Sequence, residues 1–109
     1  EGALTLLAKA AEENGLADRV ETVTADCFKE MEARVAAGEQ FGVVIADPPA
    51  FVKNKKALAS GAKGYRKMTR LAARLVEPGG ILLVASCSHH MALDNFALFF
   101  NLDVFVEYF

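Results

Sequence analysis

The chain has 109 residues, 53% of them hydrophobic and 24% charged, with a formal net charge of −2. That composition fits one globular domain and excludes a disordered tail or a pair of domains. Two cysteines, Cys27 and Cys87, are too few for a disulfide framework or a zinc-binding set, which points to a reducing, cytoplasmic setting, and the longest uncharged stretch, Pro78 to Leu93, is broken by glycines, serines and histidines, so no membrane span is expected.

In chain order, Ala3 to Asn14 carries Leu4, Leu7, Ala8 and Ala11 at helical spacing, and Asn14-Gly15 supplies a stop. Val20 to Thr24 alternates and is rich in β-branched residues, which predicts a strand ending at Ala25-Asp26. Asp26 can then cap a helix from Cys27 to Ala37, with Phe28, Met31 and Val35 on one face and Gly38 as its stop. Phe41 to Ala46 is an unbroken apolar run, the pattern of a strand buried on both faces, and it ends at Asp47-Pro48-Pro49. Ala50 to Ala62 reads as a mobile loop with room for one helical turn. A helix follows from about Gly64 to Val76, closed by Glu77-Pro78-Gly79-Gly80. Ile81 to Ala85 is a second buried strand that delivers Ser86-Cys87-Ser88-His89-His90 at its end. Asp94 to Phe100 is assigned to a helix and Leu102 to Phe109 to a strand, in a tail that holds five of the eight phenylalanines.

Strands separated by helices imply parallel pairing and an α/β layered domain, in which ligands sit beyond the carboxyl ends of the strands. Asp26, Asp47 and Cys87 are therefore expected along one edge. The two prolines after Asp47 fix the backbone and remove two donors, so its carboxylate and nearby carbonyls suit a flat, amino-bearing base; alternatively they only stop the strand. Cys87, between two serines and near a basic segment, can ionise readily and act as a nucleophile, or else be a small buried hydrophobe. Cys27 reads as structural or pocket-lining. His89 and His90 lack a second ligand cluster, so no metal is expected.

Charge is unevenly spread. All eight ionised residues between Asp47 and Glu77 are basic: Lys53, Lys55, Lys56, Lys63, Arg66, Lys67, Arg70 and Arg74. Five of them, from Lys63 onward, share one helical face, with Met68, Leu71, Ala72 and Leu75 on the other. Like charges at these spacings repel, and a polyanion such as an RNA backbone would relieve them better than a membrane surface would; an ordinary solvated face is the alternative.

These residues carry a family resemblance. Asp26-Cys27-Phe28, the run from Phe41 through Asp47-Pro48-Pro49-Ala50-Phe51-Val52-Lys53-Asn54-Lys55, then Gly64-Tyr65, Pro78-Gly79-Gly80 and Ser86-Cys87-Ser88 resemble the catalytic domain of class I S-adenosylmethionine-dependent ribosomal RNA methyltransferases. The closest group is the large-subunit rRNA cytosine-C5 methyltransferases, and the resemblance covers roughly residues 3–92. It implies a partial Rossmann-like sheet, mainly parallel with helices on both faces, lacking the first βαβ unit. Residues 1–109 would form the C-terminal portion of a catalytic domain.

By the same resemblance, Cys87 adds to C6 of a cytosine so that C5 takes the methyl group, and Asp47 holds the base. Asp26, Cys27 and Asp47 contact the cofactor S-adenosylmethionine; Pro48, Pro49, Phe51, Lys53, Lys55, Lys63, Arg66, Lys67 and Arg70 contact RNA. A guanine-N7 branch carries asparagine where this chain has Cys87. Ala50 stands where some relatives have lysine, and residues 93–109 match no family pattern. The glycine-rich cofactor loop has no counterpart here, and the sequence starts in a helical pattern at Glu1, so a fragment, itself inactive, is expected. With two family strands absent between those ending at Asp26 and Asp47, either these two pair directly, a partner chain fills the gap, or the 109 residues belong to a longer protein. Unpaired strands and the phenylalanine-rich tail would favour self-association. The competing functions are methylation of a guanine or an exocyclic amine through the Asp-Pro-Pro turn, and a basic RNA-binding module without chemistry.

Overall fold

The computed structural model describes residues 2–49, 56 and 58–85. Helix α1 spans Gly2–Glu13, and a short 3-10 turn covers Ala17–Arg19. Helix α2 is Cys27–Ala36, strand β1 Phe41–Ala46, helix α3 Leu58–Leu75 and strand β2 Val76–Val84. The expected tail elements, 94–100 and 102–109, lie outside the described residues.

The first two helices end for the same local reason. At the close of α2, Gly38 adopts φ +73°, its N–H donates to the Val35 carbonyl at 3.0 Å, and Glu39 N–H donates to Arg34 at 3.1 Å. At the close of α1, Gly15 sits at φ +69° and the matching pair of bonds runs to Glu12 and Ala11. Both are left-handed terminations that satisfy two orphan carbonyls, and both fall where the sequence placed a stop.

Strands β1 and β2 form a two-stranded parallel sheet. Parallel neighbours cannot be joined by a hairpin, and α3 provides the crossover. Val43 pairs with Ile81, Val44 with Leu82, Ile45 with Leu83 and Ala46 with Val84. Ahead of this regular ladder Phe41 faces Val76, so Gly42 alone stands opposite the four residues from Glu77 to Gly80. Pro78 is tolerated in this irregular stretch because its missing donor leaves no ladder bond broken. Gly80 is required there: a Cβ would lie 2.8 Å from the Gly42 carbonyl oxygen and 2.9 Å from that of Glu77, both backbone atoms.

Four sequence expectations change. Val20 to Thr24 is non-helical chain, exposed from Glu21 onward, and not a strand, because among the described residues no neighbour offers it a ladder; direct pairing with β1 does not occur. Helix α3 begins at Leu58, inside the expected loop. Gly61 and Gly64 lower its intrinsic propensity, but Gly61 and Ala62 are buried, and packing outweighs propensity. Glu77 to Gly80 does not cap a helix that has already ended at Leu75; it forms the bulged first half of β2.

Finally, neither strand is buried on both faces. Val43, Ile45, Ile81 and Leu83 remain 58%, 67%, 62% and 41% exposed, because among the described residues α3 covers only the opposite face. The alternate positions Val44, Ala46, Leu82 and Val84 are half-buried.

The core follows from that one-sided cover. Tyr65, Met68, Ala72 and Leu75 are buried on α3, which packs on both strands and against α2. Thr69, also buried, donates its hydroxyl to the Tyr65 carbonyl at 2.8 Å, so its polar atom costs nothing to bury.

Candidate active site at the carboxyl edge of the sheet

The two parallel strands end level with each other. Ala46 pairs with Val84, and the Ala46 carbonyl accepts a 2.9 Å hydrogen bond from the Ala85 N–H, the last rung of the ladder. Asp47 comes immediately after that rung and is exposed. Neither Pro48 nor Pro49 has an N–H, so the ladder cannot continue past Asp47 on this strand. Pro48 is half-buried and Pro49 exposed, which leaves a stiff turn carrying an outward carboxylate at the carboxyl edge.

Asp26 is placed by a different element. It is the N-cap of α2, with φ −69° and ψ 116°, and its Oδ1 accepts the Lys29 N–H at 3.0 Å. The capping bond fixes the side chain while leaving Asp26 solvent-exposed. Cys27, the next residue, is an exposed free thiol in the first turn of α2. Asp26 is thus held at the helix end where the sequence placed a cap, while the strand expected to lead into it is not formed. Phe51, Lys53, Lys55, Cys87, His89 and His90 lie outside the described residues. Among those described, no cluster of three metal-ligating side chains exists.

Helix α3 separates its two sides as its periodicity predicts. Lys63, Arg66, Lys67, Arg70 and Arg74 are all exposed, opposite the buried residues that meet the sheet. Lys67 has partners on α2: its Nζ lies 2.7 Å from Glu32 Oε1 and 5.1 Å from the centre of the Phe28 ring. Phe28 and Glu32 are four residues apart and share a face of α2, so one ammonium group reaches both. The ion pair and the cation–π contact are each worth under about 1 kcal/mol at such exposure. The sequence did carry this signal, an aromatic and an acid at i and i+4 on the helix preceding the basic one.

A second ion-pair group stiffens α2. Arg34 Nε donates to Glu30 at 2.8 Å, and Nη1 reaches Glu39 at 3.5 Å. The hydrogen bond that Arg34 donates to Glu30 above all, and the charge of Glu39, hold the Arg34 proton more tightly than usual. Glu30 lies N-terminal to Arg34, the orientation that favours the helix.

No family model matches the chain. It is similar to the proteins named ribosomal RNA large subunit methyltransferase I from Yersinia pseudotuberculosis and from Yersinia pestis. Each is 46% identical over 78 residues, which is 72% of this chain and 20% of the relative. The chain therefore spans about a fifth of the length of the curated relatives it matches. Among the described residues no helix is long and apolar enough to cross a membrane.

Proposed function

We propose that this chain is part of a cytoplasmic S-adenosylmethionine-dependent ribosomal RNA methyltransferase that modifies C5 of a cytosine, with residues 1–109 supplying the C-terminal portion of a Rossmann-like catalytic domain. The observation that carries the reading is the register of the parallel strands, together with the similarity to enzymes named as rRNA large subunit methyltransferases. That register sets the exposed Asp47 beside Ala85 at the carboxyl edge, where α/β sheets hold ligands. Cys87 follows Ala85 by two residues in the sequence.

The residues at hand suit the cofactor's donors. Asp26 is exposed with one carboxylate oxygen engaged by Lys29, and Asp47 is exposed, so each can accept from an amino group. S-adenosylmethionine supplies an electrophilic methyl group. The chain's own residues do the rest. Asp47 holds the cytosine by its exocyclic amine, on a turn whose prolines prevent it from swinging away. The Cys87 thiolate adds to C6, which places negative charge on C5; after C5 is methylated its proton leaves to a base, and the Cys87–C6 bond breaks to restore the thiolate and the ring.

The test grafts this segment into the Yersinia pestis relative in place of its matching residues and measures modified nucleosides by mass spectrometry. Expected is 5-methylcytosine, lost to background on Cys87→Ser with S-adenosylmethionine affinity retained. Unchanged turnover in that variant rules out the thiol mechanism. A methylated guanine or exocyclic amine assigns the Asp47 turn to a different reaction.

A further inference from the structure

We infer that α3 carries a phosphate track for single-stranded RNA made by Lys63, Arg70 and Arg74, from which Lys67 is withdrawn to serve as a pin between α3 and α2. The inference rests on the reading of RNA as the substrate and adds the way the strand is held. At 100° per residue, Lys63, Arg70 and Arg74 fall within an arc of about 40°, and the rise of 11 residues spaces the outer two about 16 Å apart along the axis. That is the length of about five stacked nucleotides at roughly 3.4 Å each.

All three are exposed, and none has a carboxylate within ion-pair distance among the described residues. Lys67 lies only about 40° from the line of Lys63, so sequence spacing alone counts it with the stripe. Its ammonium is instead neutralised by Glu32 and seated over Phe28. A phosphate at Lys67 would have to displace Glu32 and would meet that carboxylate's repulsion. The acid therefore bounds the track on the α2 side.

The geometry favours an RNA strand over a lipid surface. Membrane-surface helices insert an apolar face, and on α3 that face, with Tyr65, Met68, Ala72 and Leu75, is already buried. Because α3 leaves the carboxyl end of β1 and returns to the start of β2, its amino-terminal end with Lys63 lies toward the edge that carries Asp47. The track thus starts near the candidate active site and leads away from it, the arrangement needed to hold nucleotides flanking a target base.

The experiment uses oligouridine, which contains no cytosine, so its outcome is independent of the C5 reaction. Binding of a labelled uridine 12-mer to the protein is followed by anisotropy between 50 and 200 mM salt. Three phosphate contacts predict about a 20-fold loss of affinity over that range, falling to about 7-fold for Arg70→Gln. Arg74→Gln should behave like Arg70→Gln, while Lys67→Gln keeps the wild-type salt dependence and lowers the melting temperature. The track is overturned if Arg70→Gln and Arg74→Gln leave the salt dependence unchanged, if Lys67→Gln reduces it as much as they do, or if anionic phosphatidylserine vesicles bind as tightly as the RNA with the same response to Arg70→Gln. None of these results bears on whether 5-methylcytosine is formed.

Discussion

Helices α1 and α3 are both amphipathic in sequence, and among the described residues only α3 is built into a core. On α3 the apolar positions meet the sheet, and Tyr65 is fully buried. On α1 Leu6 and Leu7 remain 70% and 47% exposed, and only Ala11 is buried, next to the turn that ends the helix. Periodicity and a left-handed glycine stop are enough to specify a helix, but burial needs a surface of matching shape, and among the described residues the parallel pair β1–β2 offers one to α3 alone. The largest expected effect tests that difference. Replacing Tyr65 with Ala removes the largest fully buried side chain and should cost about 4 kcal/mol in urea unfolding. A cost below about 1 kcal/mol would mean that α3 does not seat on the sheet as described.

Helix α2 stands between these two cases. It has no fully buried residue, yet Phe28, Met31 and Val35 are half-buried and it packs against α3. Its ends are closed locally, by Asp26 at one and Gly38 at the other. Asp26→Ala should therefore cost about 1 kcal/mol, whereas Asp26→Asn, which preserves the acceptor, should cost a few tenths at most. The pair also separates two roles of one residue. If the carboxylate receives the cofactor's amino group as well, Asn weakens that binding while leaving the melting temperature unchanged; if capping is its only role, the Asn variant is silent in both measurements.

How much was legible follows the same division between local and distant causes. The stops at Gly15 and Gly38, the cap at Asp26, the core of β1 and the two-sided character of α3 were readable because each is set by residues within one or two turns. The pairing of β1 with β2 followed from the helix between them. What the sequence misjudged depends on neighbours. Among the described residues, Val20 to Thr24 has strand composition but no strand to pair with, and the apolar runs of β1 and β2 suggested two-sided burial that the one covering helix cannot supply. Leu58 to Ala62 was read as a loop because glycine propensity was weighed without the burial that offsets it. At the candidate site, Asp47 was placed correctly at the end of its strand. Lys67 was read with its basic neighbours alone, and the i, i+4 spacing of Phe28 and Glu32 that marks its contacts with α2 went unused.

The smallest expected effect is the most exacting for the comparison between α1 and α3. Leu7 projects from α1 with nearly half its surface in water, and among the described residues the only element that α1 packs against closely is the short turn at Ala17–Arg19. Leu7→Ala therefore removes little buried area and replaces leucine by the best helix former, so the two terms nearly cancel and stability should change by no more than about 0.5 kcal/mol. A buried leucine loses about 2–5 kcal/mol on the same substitution. A loss in that range would place α1 against an apolar surface, and the exposed sheet face of Val43, Ile45, Ile81 and Leu83 would then be the first to examine for a matching loss on Ile45→Ala.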